Sequence, residues 1–272
     1  MGFMPAKAVV FDLGNTLWFM GHEPPKAEMD RMAAELLRQW LARNTVALPV
    51  ALDTICRDVW EAYDQAWQIE VGRGTLREPS LPILARDAFA GRGIEISAEQ
   101  ADAFWRESWI GVRRFGVVLY PDAIDVLRAL RSRGVRIGIN SNRPCTTAMM
   151  MADLADMGIA PYVDAAVCSG ETGYLKPHPS TFERVIADLG VAPREAAMVG
   201  DSAEADMYGA KSIGMRTVWK LNGRYGLPPC PDADHAIHEL GELLALPLFG
   251  AGRAVAATES LTPHEDGNED RY

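Results

Sequence analysis

The sequence has few of the residues that mark several large classes of protein. Its four cysteines are spread along 272 residues, with no Cys-x-x-Cys pair and no cluster with histidine. This spacing argues against a disulfide scaffold or a zinc site, and it is typical of reduced thiols in a cytoplasmic protein. Apolar runs are shorter than a membrane span, and strand-like residues begin near Lys7. We therefore expect neither a membrane segment nor a secretory signal.

Positive charge is also scarce. Lys and Arg number 27 against 37 Asp and Glu, which gives a formal net charge of −10. Binding to a nucleic-acid backbone needs a basic face, so we expect no nucleic-acid partner. An anionic small substrate remains compatible with this charge, because one local cation reverses the sign of the charge in a pocket.

Strand and helix patterns alternate through the second half of the chain. Apolar, β-prone runs lie at 8–11, 135–140, 163–168, 196–199 and 215–219. Helical patterns separate the later runs at 122–133, 145–157, 178–190 and 203–213. This alternation predicts an α/β fold, in which a parallel sheet is covered by helices on both faces.

About a hundred residues without a good buried strand separate the first strand from the others. Helices are predicted there at 26–43, 51–70, 80–91 and 97–111, with turn-like hinges at 18–25 and 112–121. Most of the tryptophans fall in this insert, and we expect one or two of them to face a substrate. A helical insert above the strand ends would act as a lid, and an unrelated helical domain on a linker is the alternative.

These patterns divide the chain into three parts. We expect a core built from 1–17 and 116–248, an α-helical cap domain at 18–115, and a disordered tail at 249–272. The oligomeric state stays open between a monomer and a homodimer.

Polar residues follow the predicted strands, where α/β proteins place their ligand sites. They are Asp12, Ser141, Lys176 and the pair Asp201 and Asp206. Taken singly, each has an ordinary explanation, such as a strand-end acid, a helix N-cap or a solvated loop lysine. Together they supply carboxylates, a hydroxyl and an ammonium group, which are the groups that phosphoryl transfer with Mg²⁺ uses.

Each of these residues has a use in such a reaction. Asp12 and Asp201 would bind Mg²⁺, and Asp12 would attack phosphorus to form an aspartyl phosphate. Ser141 and the backbone N–H groups of the turn at 13–16 would donate to phosphate oxygens. Lys176 would offset part of the negative charge of the carboxylates and the phosphoryl group.

The segments FDLGNTL, INSN, LKPHPSTF and VGDSAEADMYGAKSIGM resemble, in that order, the four motifs of the haloacid dehalogenase superfamily of hydrolases. The resemblance covers roughly 7–20 and 115–245, while 18–115 fits the family's cap in position only. It implies a Rossmann-like core, Mg²⁺ as cofactor and a small phosphorylated substrate. The implied site consists of Asp12 and Lys176 as catalytic residues; Ser141, Asn142, Lys176 and Asn15 at the substrate; Asp12, the carbonyl of Gly14 and Asp201 on the metal; and Asp206 in support.

One position departs from the family pattern. The family's phosphatases usually carry a second Asp two residues after the nucleophile, which protonates the leaving alkoxide and then activates water. Here that residue is Gly14, and a general acid of this kind typically contributes about 10²–10⁴-fold in rate. Three accounts are open: a cap residue or water replaces the acid (Asn15 is too weak a base), the substrate has a good leaving group such as an acyl or aryl phosphate, or the protein binds a phosphorylated ligand with little turnover.

Other activities fit the residues less well. A 2-haloacid dehalogenase also lacks the second Asp, but it uses no metal, and Asp201 would repel a haloacid carboxylate. Phosphonate hydrolysis needs a cap lysine, and Lys26 at the edge of the insert is the main one. A receiver domain needs an acidic pair directly after the first strand. We therefore predict a Mg²⁺-dependent phosphatase in the cytoplasm, with a weakly catalytic binding or regulatory protein as the alternative.

Several more residues carry smaller predictions. Arg143 is expected to border the phosphate, Arg73 lies in a loop that would read the substrate, and His22 is a candidate substitute proton donor. His235 and His238 are expected on one helix, without a metal role.

Overall fold

The computed structural model describes residues 5–44 and 46–250. The strands are β1 (Ala8–Phe11), β2 (Trp18–Met20), β3 (Val117–Leu119), β4 (Arg136–Ser141), β5 (Ala165–Cys168), β6 (Ala196–Gly200), β7 (Arg216–Lys220) and β8 (His235–Ile237). The helices are α1 (Lys26–Leu36), α2 (Arg38–Asn44), α3 (Leu52–Gly72), α4 (Leu81–Ala90), α5 (Ala98–Glu107), α6 (Ala123–Ser132), α7 (Thr147–Asp156), α8 (Ser169–Thr172), α9 (Pro179–Leu189) and α10 (Gly209–Ser212). A π-helix spans Ala203–Tyr208. Within the described ranges, no helix is both long and apolar enough to cross a membrane.

Six strands form one parallel sheet in the order β5-β4-β1-β6-β7-β8. Successive side chains of a strand point to opposite faces, and β1 shows this directly. Val9 and Phe11 pack into one apolar cluster, while Ala8 and Val10 pack into the other. Both faces of the sheet are therefore buried, as expected for parallel strands, and the predicted α/β fold is confirmed.

The long insert between β2 and β3 contains the five helices α1–α5. The single helix predicted at 26–43 is divided into α1 and α2, with Leu37 between them. Trp40 is fully buried, and its ring centroid lies 5.7 Å from that of Phe89 and 5.2 Å from that of Phe104. These rings form an aromatic cluster within the insert, and this cluster is continuous with the apolar core on one face of the sheet.

Two local predictions were wrong, because each concerns a segment that is too short for periodicity to identify a strand. Parts of the two predicted hinges pair as the antiparallel ribbon β2–β3. His235 begins β8 rather than sharing a helix with His238. The segment predicted as a helix at 203–213 is helical over 203–212, and it begins as a π-helix and continues as the short α10.

The predicted tail at 249–272 falls mostly outside the described residues. Phe249, its first residue, is 2% exposed and packs into the apolar core. The core therefore extends at least to that residue.

Candidate active site

The ammonium group of Lys176 is the centre of a buried polar cluster. Its Nζ lies 2.7 Å from Asp12 Oδ1, 2.6 Å from Asp206 Oδ1 and 2.9 Å from the carbonyl oxygen of Asn140. Lys176, Asp12 and Asp206 are all buried. The structure thus brings together three of the predicted site residues, which lie far apart in the sequence.

Burial and charge act in opposite directions on Lys176. Burial alone lowers the pKa of a lysine, but the nearby carboxylates of Asp12 and Asp206 outweigh it, so the pKa of Lys176 lies above its usual value. Burial raises the pKa of Asp206 to about 6, an effect that Lys176 opposes and Asp12 reinforces. Lys176 is therefore a permanent positive charge at neutral pH.

The sheet order explains why the other predicted residues lie at the same edge. β1 lies between β4 and β6, so the carboxyl ends of these three parallel strands are neighbours. Asp12 follows β1, and its N–H donates to the carbonyl of Val199 at 2.9 Å. Ser141 is the buried last residue of β4, and Asp201 follows β6.

Asp12, Asp201 and Asp206 form an acidic trio, in which one oxygen from each lies within 4.8 Å of the others. Burial, and then the charge of Asp12, raise the pKa of Asp201. Three carboxylates around one ammonium group leave net negative charge, which a divalent cation would balance. Carboxylate oxygens are also the ligands that Mg²⁺ prefers, so the donors present fit the predicted metal.

Asp206 reaches the cluster through close packing against the end of β6. The N–H of Ser202 donates to Asp206 Oδ2 at 3.1 Å. A Cβ atom at Gly200 would lie 2.3 Å from Asp206 Cγ, closer than any real contact. Glycine at this position is therefore a steric requirement of the site.

The side-chain amide of Asn142 holds the backbone of Lys176. The N–H of Lys176 donates to Asn142 Oδ1 at 2.7 Å, and Asn142 Nδ2 donates to the carbonyl of Lys176 at 3.2 Å. The family resemblance implies a place for Asn142 at the substrate. The contacts show Asn142 positioning Lys176, and a contact with substrate stays a prediction.

The loop after β1 brings in a lysine that sequence analysis missed. Asn15 has a left-handed backbone, with φ of 52°, and its carbonyl accepts from Asn222 Nδ2 at 2.8 Å and Lys220 Nζ at 3.3 Å. Lys220 is 1% exposed, and burial lowers its pKa to about 8. The only signal in the sequence was a lysine at the end of the apolar run of β7.

Gly14 has open space where a side chain would project. Nothing lies within 4 Å of a Cβ atom built at this position, and its φ is outside the left-handed region. The surroundings of position 14 therefore leave room for an acidic side chain, and crowding does not explain why glycine stands there.

Arg143, predicted to border the phosphate, is held by a buried acid. A terminal nitrogen of its guanidinium lies 2.8 Å from Asp153 Oδ2, which also accepts from Trp109 Nε1 at 3.1 Å. The guanidinium carbon lies 5.4 Å from the ring centroid of Trp18 and 5.1 Å from that of Trp109. The guanidinium of Arg143 thus lies over two indole rings, in a cation–π arrangement.

The loop predicted to read the substrate packs onto the chain just before Lys176. Backbone hydrogen bonds of 2.7 and 3.0 Å join 76–78 to 173–175. The helical insert is thereby fastened to the segment that carries Lys176. Arg73 and His22 are both exposed, and neither enters the buried cluster.

This chain matches a family model and is similar in sequence to phosphatases of known name. The family model described as haloacid dehalogenase-like hydrolase matches residues 6–214. A phosphoserine phosphatase from Thermus thermophilus is 35% identical over 154 residues, which cover 57% of this chain and 59% of that protein. A ribulose-1,5-bisphosphate 5-phosphatase from Halopiger xanaduensis is 31% identical over 258 residues, which cover 89% of this chain and 99% of that protein.

Solved structures share the fold. A phosphatase of the same superfamily from Thermococcus onnurineus aligns with a TM-score of 0.50 and 24% identity, over 88% of this chain and 96% of that one. A 2-haloacid dehalogenase from Pseudomonas syringae aligns with a TM-score of 0.57 and 23% identity, with the same coverage of both chains. Phosphatase and dehalogenase folds match at similar levels, so the fold does not choose between the two reactions.

Proposed function

The chain belongs to the haloacid dehalogenase-like hydrolases, and from this we propose that it is a Mg²⁺-dependent phosphatase of a small phosphorylated metabolite. The observation that carries the proposal is the contact of Lys176 Nζ with Asp12 Oδ1, 2.7 Å apart within the acidic trio. Relatives that are named as phosphatases support the reaction class.

In the proposed reaction, Asp12 is the nucleophile. Lys176 contacts one oxygen of Asp12, while the other oxygen forms a bond to phosphorus. The ester P–O bond breaks, and its electron pair leaves with the alcohol oxygen, which takes a proton from water because Gly14 has none to give. Water then attacks phosphorus, and the P–O bond to Asp12 breaks with its electron pair returned to the carboxylate. The proton that the attacking water loses neutralises the hydroxide left by the first step, and inorganic phosphate is released.

The residues around Asp12 would bind the phosphoryl group and the metal. Asp12, Asp201 and the carbonyl of Gly14 would hold Mg²⁺, which offsets the charge of the phosphoryl oxygens when it is bound. Asp206 supports the site by fixing Lys176, whose Nζ lies 2.6 Å from its Oδ1. The hydroxyl of Ser141 would donate to a phosphoryl oxygen.

We also propose that 18–115 acts as a cap over this site. The backbone bonds between 76–78 and 173–175 support this role, since they join the helical insert to the chain at Lys176. A cytoplasmic location and a monomeric or homodimeric state complete the proposal.

Gly14 favours a second candidate function, in which the protein binds or senses a phosphorylated ligand with little turnover. High turnover by the native protein would contradict it. A 2-haloacid dehalogenase is the lesser alternative, because the charge of Asp201 opposes binding of a haloacid carboxylate. Halide release from chloropropionate in the absence of Mg²⁺ would support it.

The test measures phosphate release from acetyl phosphate and para-nitrophenyl phosphate, with Mg²⁺ and with EDTA. We expect Asp12→Asn and EDTA each to abolish the activity. Asp188→Asn is a matched control, since Asp188 forms a surface pair with Arg184, and we expect it to retain the activity. Full activity of Asp12→Asn, or full activity in EDTA, would overturn the proposal.

A further inference from the structure

A cavity of about 790 Å³ lies between the helical insert and the β2–β3 ribbon. Its walls are largely apolar and aromatic, with contributions from Trp18, Met29, Trp60, Trp109, Phe115 and Val117. Sites for small molecules typically occupy about 300–1,000 Å³. The cavity is therefore large enough for a ring-containing group, and its aromatic side chains would pack against such a ring.

The cavity adjoins the loops that carry the site. Trp18 lies at the end of the loop that follows Asp12, and its N–H donates to the carbonyl of Leu13 at 3.1 Å. Arg143 is two residues beyond Ser141. Both Trp18 and Arg143 line the cavity, so the short segments that follow Asp12 and Ser141 lead from the site to its wall.

Charge in the cavity does not favour a second anionic group on the substrate. Its charged lining residues are Lys26 and Arg143 against Glu23, Asp30 and Asp64. Arg143 is further neutralised by Asp153, at 2.8 Å. The guanidinium carbon of Arg143 instead lies 5.4 Å from the ring centroid of Trp18 and 5.1 Å from that of Trp109, so its charge interacts with the two indole rings.

The missing acid at Gly14 independently restricts the leaving group. An alkoxide leaves poorly without a proton, since its conjugate acid is about as weak an acid as water. A phenolate, with a conjugate-acid pKa of about 10, leaves without one. Aryl esters therefore suit a site in which position 14 is glycine.

We propose that the substrate is an aryl phosphate monoester, whose ring occupies the cavity bounded by Trp18 and Trp109. The inference rests on the proposed phosphatase function and names its substrate class. The step is the one given above: the bond from Asp12 to phosphorus forms, the P–O(aryl) bond breaks, and the phenolate carries away the electron pair.

The test compares three phosphates with the full-length chain and Mg²⁺. Phenyl phosphate has a ring and a good leaving group, acetyl phosphate has a good leaving group without a ring, and ethyl phosphate has neither. We expect the KM for phenyl phosphate to be about tenfold below that for acetyl phosphate. We expect its kcat/KM to exceed that for ethyl phosphate by at least about a hundredfold.

Variants separate ring binding from leaving-group chemistry. Trp109→Ala should lower the ratio of kcat/KM for phenyl over acetyl phosphate by about tenfold, and Trp109→Phe should restore most of it. Trp67→Ala is the control, because Trp67 is partly exposed at 38% and does not line this cavity, and the ratio should not change. Met29→Ala, on another wall, provides a second measurement if Trp109→Ala does not fold.

The outcomes distinguish the two proposals. Equal KM values for phenyl and acetyl phosphate, or a ratio that Trp109→Ala and Met29→Ala leave unchanged, would overturn the aryl assignment while leaving the phosphatase in place. If none of the three phosphates is hydrolysed with Mg²⁺, the phosphatase proposal itself fails.

Discussion

Lys176 Nζ and Asp206 Oδ1 lie 2.6 Å apart in the interior of the protein, although thirty residues separate them in the chain. The same ammonium group contacts Asp12 at 2.7 Å. One cation thus neutralises two carboxylates that burial would otherwise make costly. The geometry of the proposed catalytic site and the stability of the fold therefore depend on the same contacts.

Lys176→Met should destabilise the protein strongly, because it leaves Asp12 and Asp206 buried without their cation. Removal of one partner of a buried pair typically costs about 3–5 kcal/mol in the free energy of unfolding. Urea denaturation in EDTA measures this loss. Lys211→Met removes the half-exposed pair with Asp234 and should cost at most about 1 kcal/mol. Similar losses in the two variants would contradict the role assigned to Lys176.

Mg²⁺ should raise the melting temperature of the native protein, because the carboxylates of the proposed site lie together only in the folded protein. At a hundred times the Kd, one bound ion stabilises by about 2.7 kcal/mol. Asp201→Asn is close in size and removes one charged ligand, so the Mg²⁺-induced shift should shrink. Thermal unfolding at increasing Mg²⁺ measures this, with Asp188→Asn as a surface control. An undiminished shift in Asp201→Asn would show that Mg²⁺ binds elsewhere.

Gly14→Asp should increase kcat for alkyl phosphates, because it restores an acid where there is room for one. General acid catalysis contributes about 10²–10⁴-fold, and phenyl phosphate should gain much less because its leaving group needs no proton. Gly14→Asn has the same size without an acid and should give no such gain. Steady-state kinetics with ethyl phosphate measures kcat for both variants. Equal values would contradict the view that a general acid at position 14 is what alkyl phosphates require.

Gly200→Ala should impair both folding and activity, because its Cβ would lie 2.3 Å from Asp206 Cγ. Overpacking of this kind costs about 1–3 kcal/mol, and displacement of Asp206 would also disturb Lys176. Gly72→Ala, at the end of α3, meets nothing within 4 Å and should be neutral or slightly stabilising. Chemical denaturation and phosphate release compare the two variants. A native-like Gly200→Ala would contradict the proposed packing.

The stability of the native protein should rise with pH in the range where Lys220 titrates. Its pKa is lowered to about 8 in the folded state. An unfolded lysine titrates near about 10.4, so between these values the unfolded state binds more protons and stability increases with pH. Lys220→Met should lack this increase. Urea titrations of both proteins across this range test it, and parallel pH profiles would contradict the lowered pKa.

Much of the fold could be predicted because its signals are local. The strands β1, β4, β5, β6 and β7 have four to six residues each, and their apolar, β-prone residues are enough to identify a buried strand. β2, β3 and β8 have three residues each, and no periodicity can be seen in so few. These strands are defined by pairing with neighbouring strands, and a local sequence pattern does not show that pairing.

The candidate site divides in the same way. Asp12, Lys176, Asp201 and Asp206 were found from residue type and position after strands, and the structure brings them together. Lys220 was missed, because a lysine at a strand end is usually solvated and only tertiary packing shows that it is buried. Arg143 was placed at the phosphate on the basis of its neighbours in sequence, while its pairing with Asp153 depends on how α7 packs.

The sequence by itself determined the chemistry available to this protein: carboxylates, a lysine and a serine at strand ends, and no acid at position 14. These features belong to the covalent structure of the chain, so they are present in every conformation. Only the tertiary structure decided which charges meet, because the distance between Lys176 and Asp206 depends on the packing of β1 between its neighbours. It also decided the shape and aromatic lining of the cavity beside the site, since Trp18 and Trp109 come together only when the insert folds back onto the ribbon.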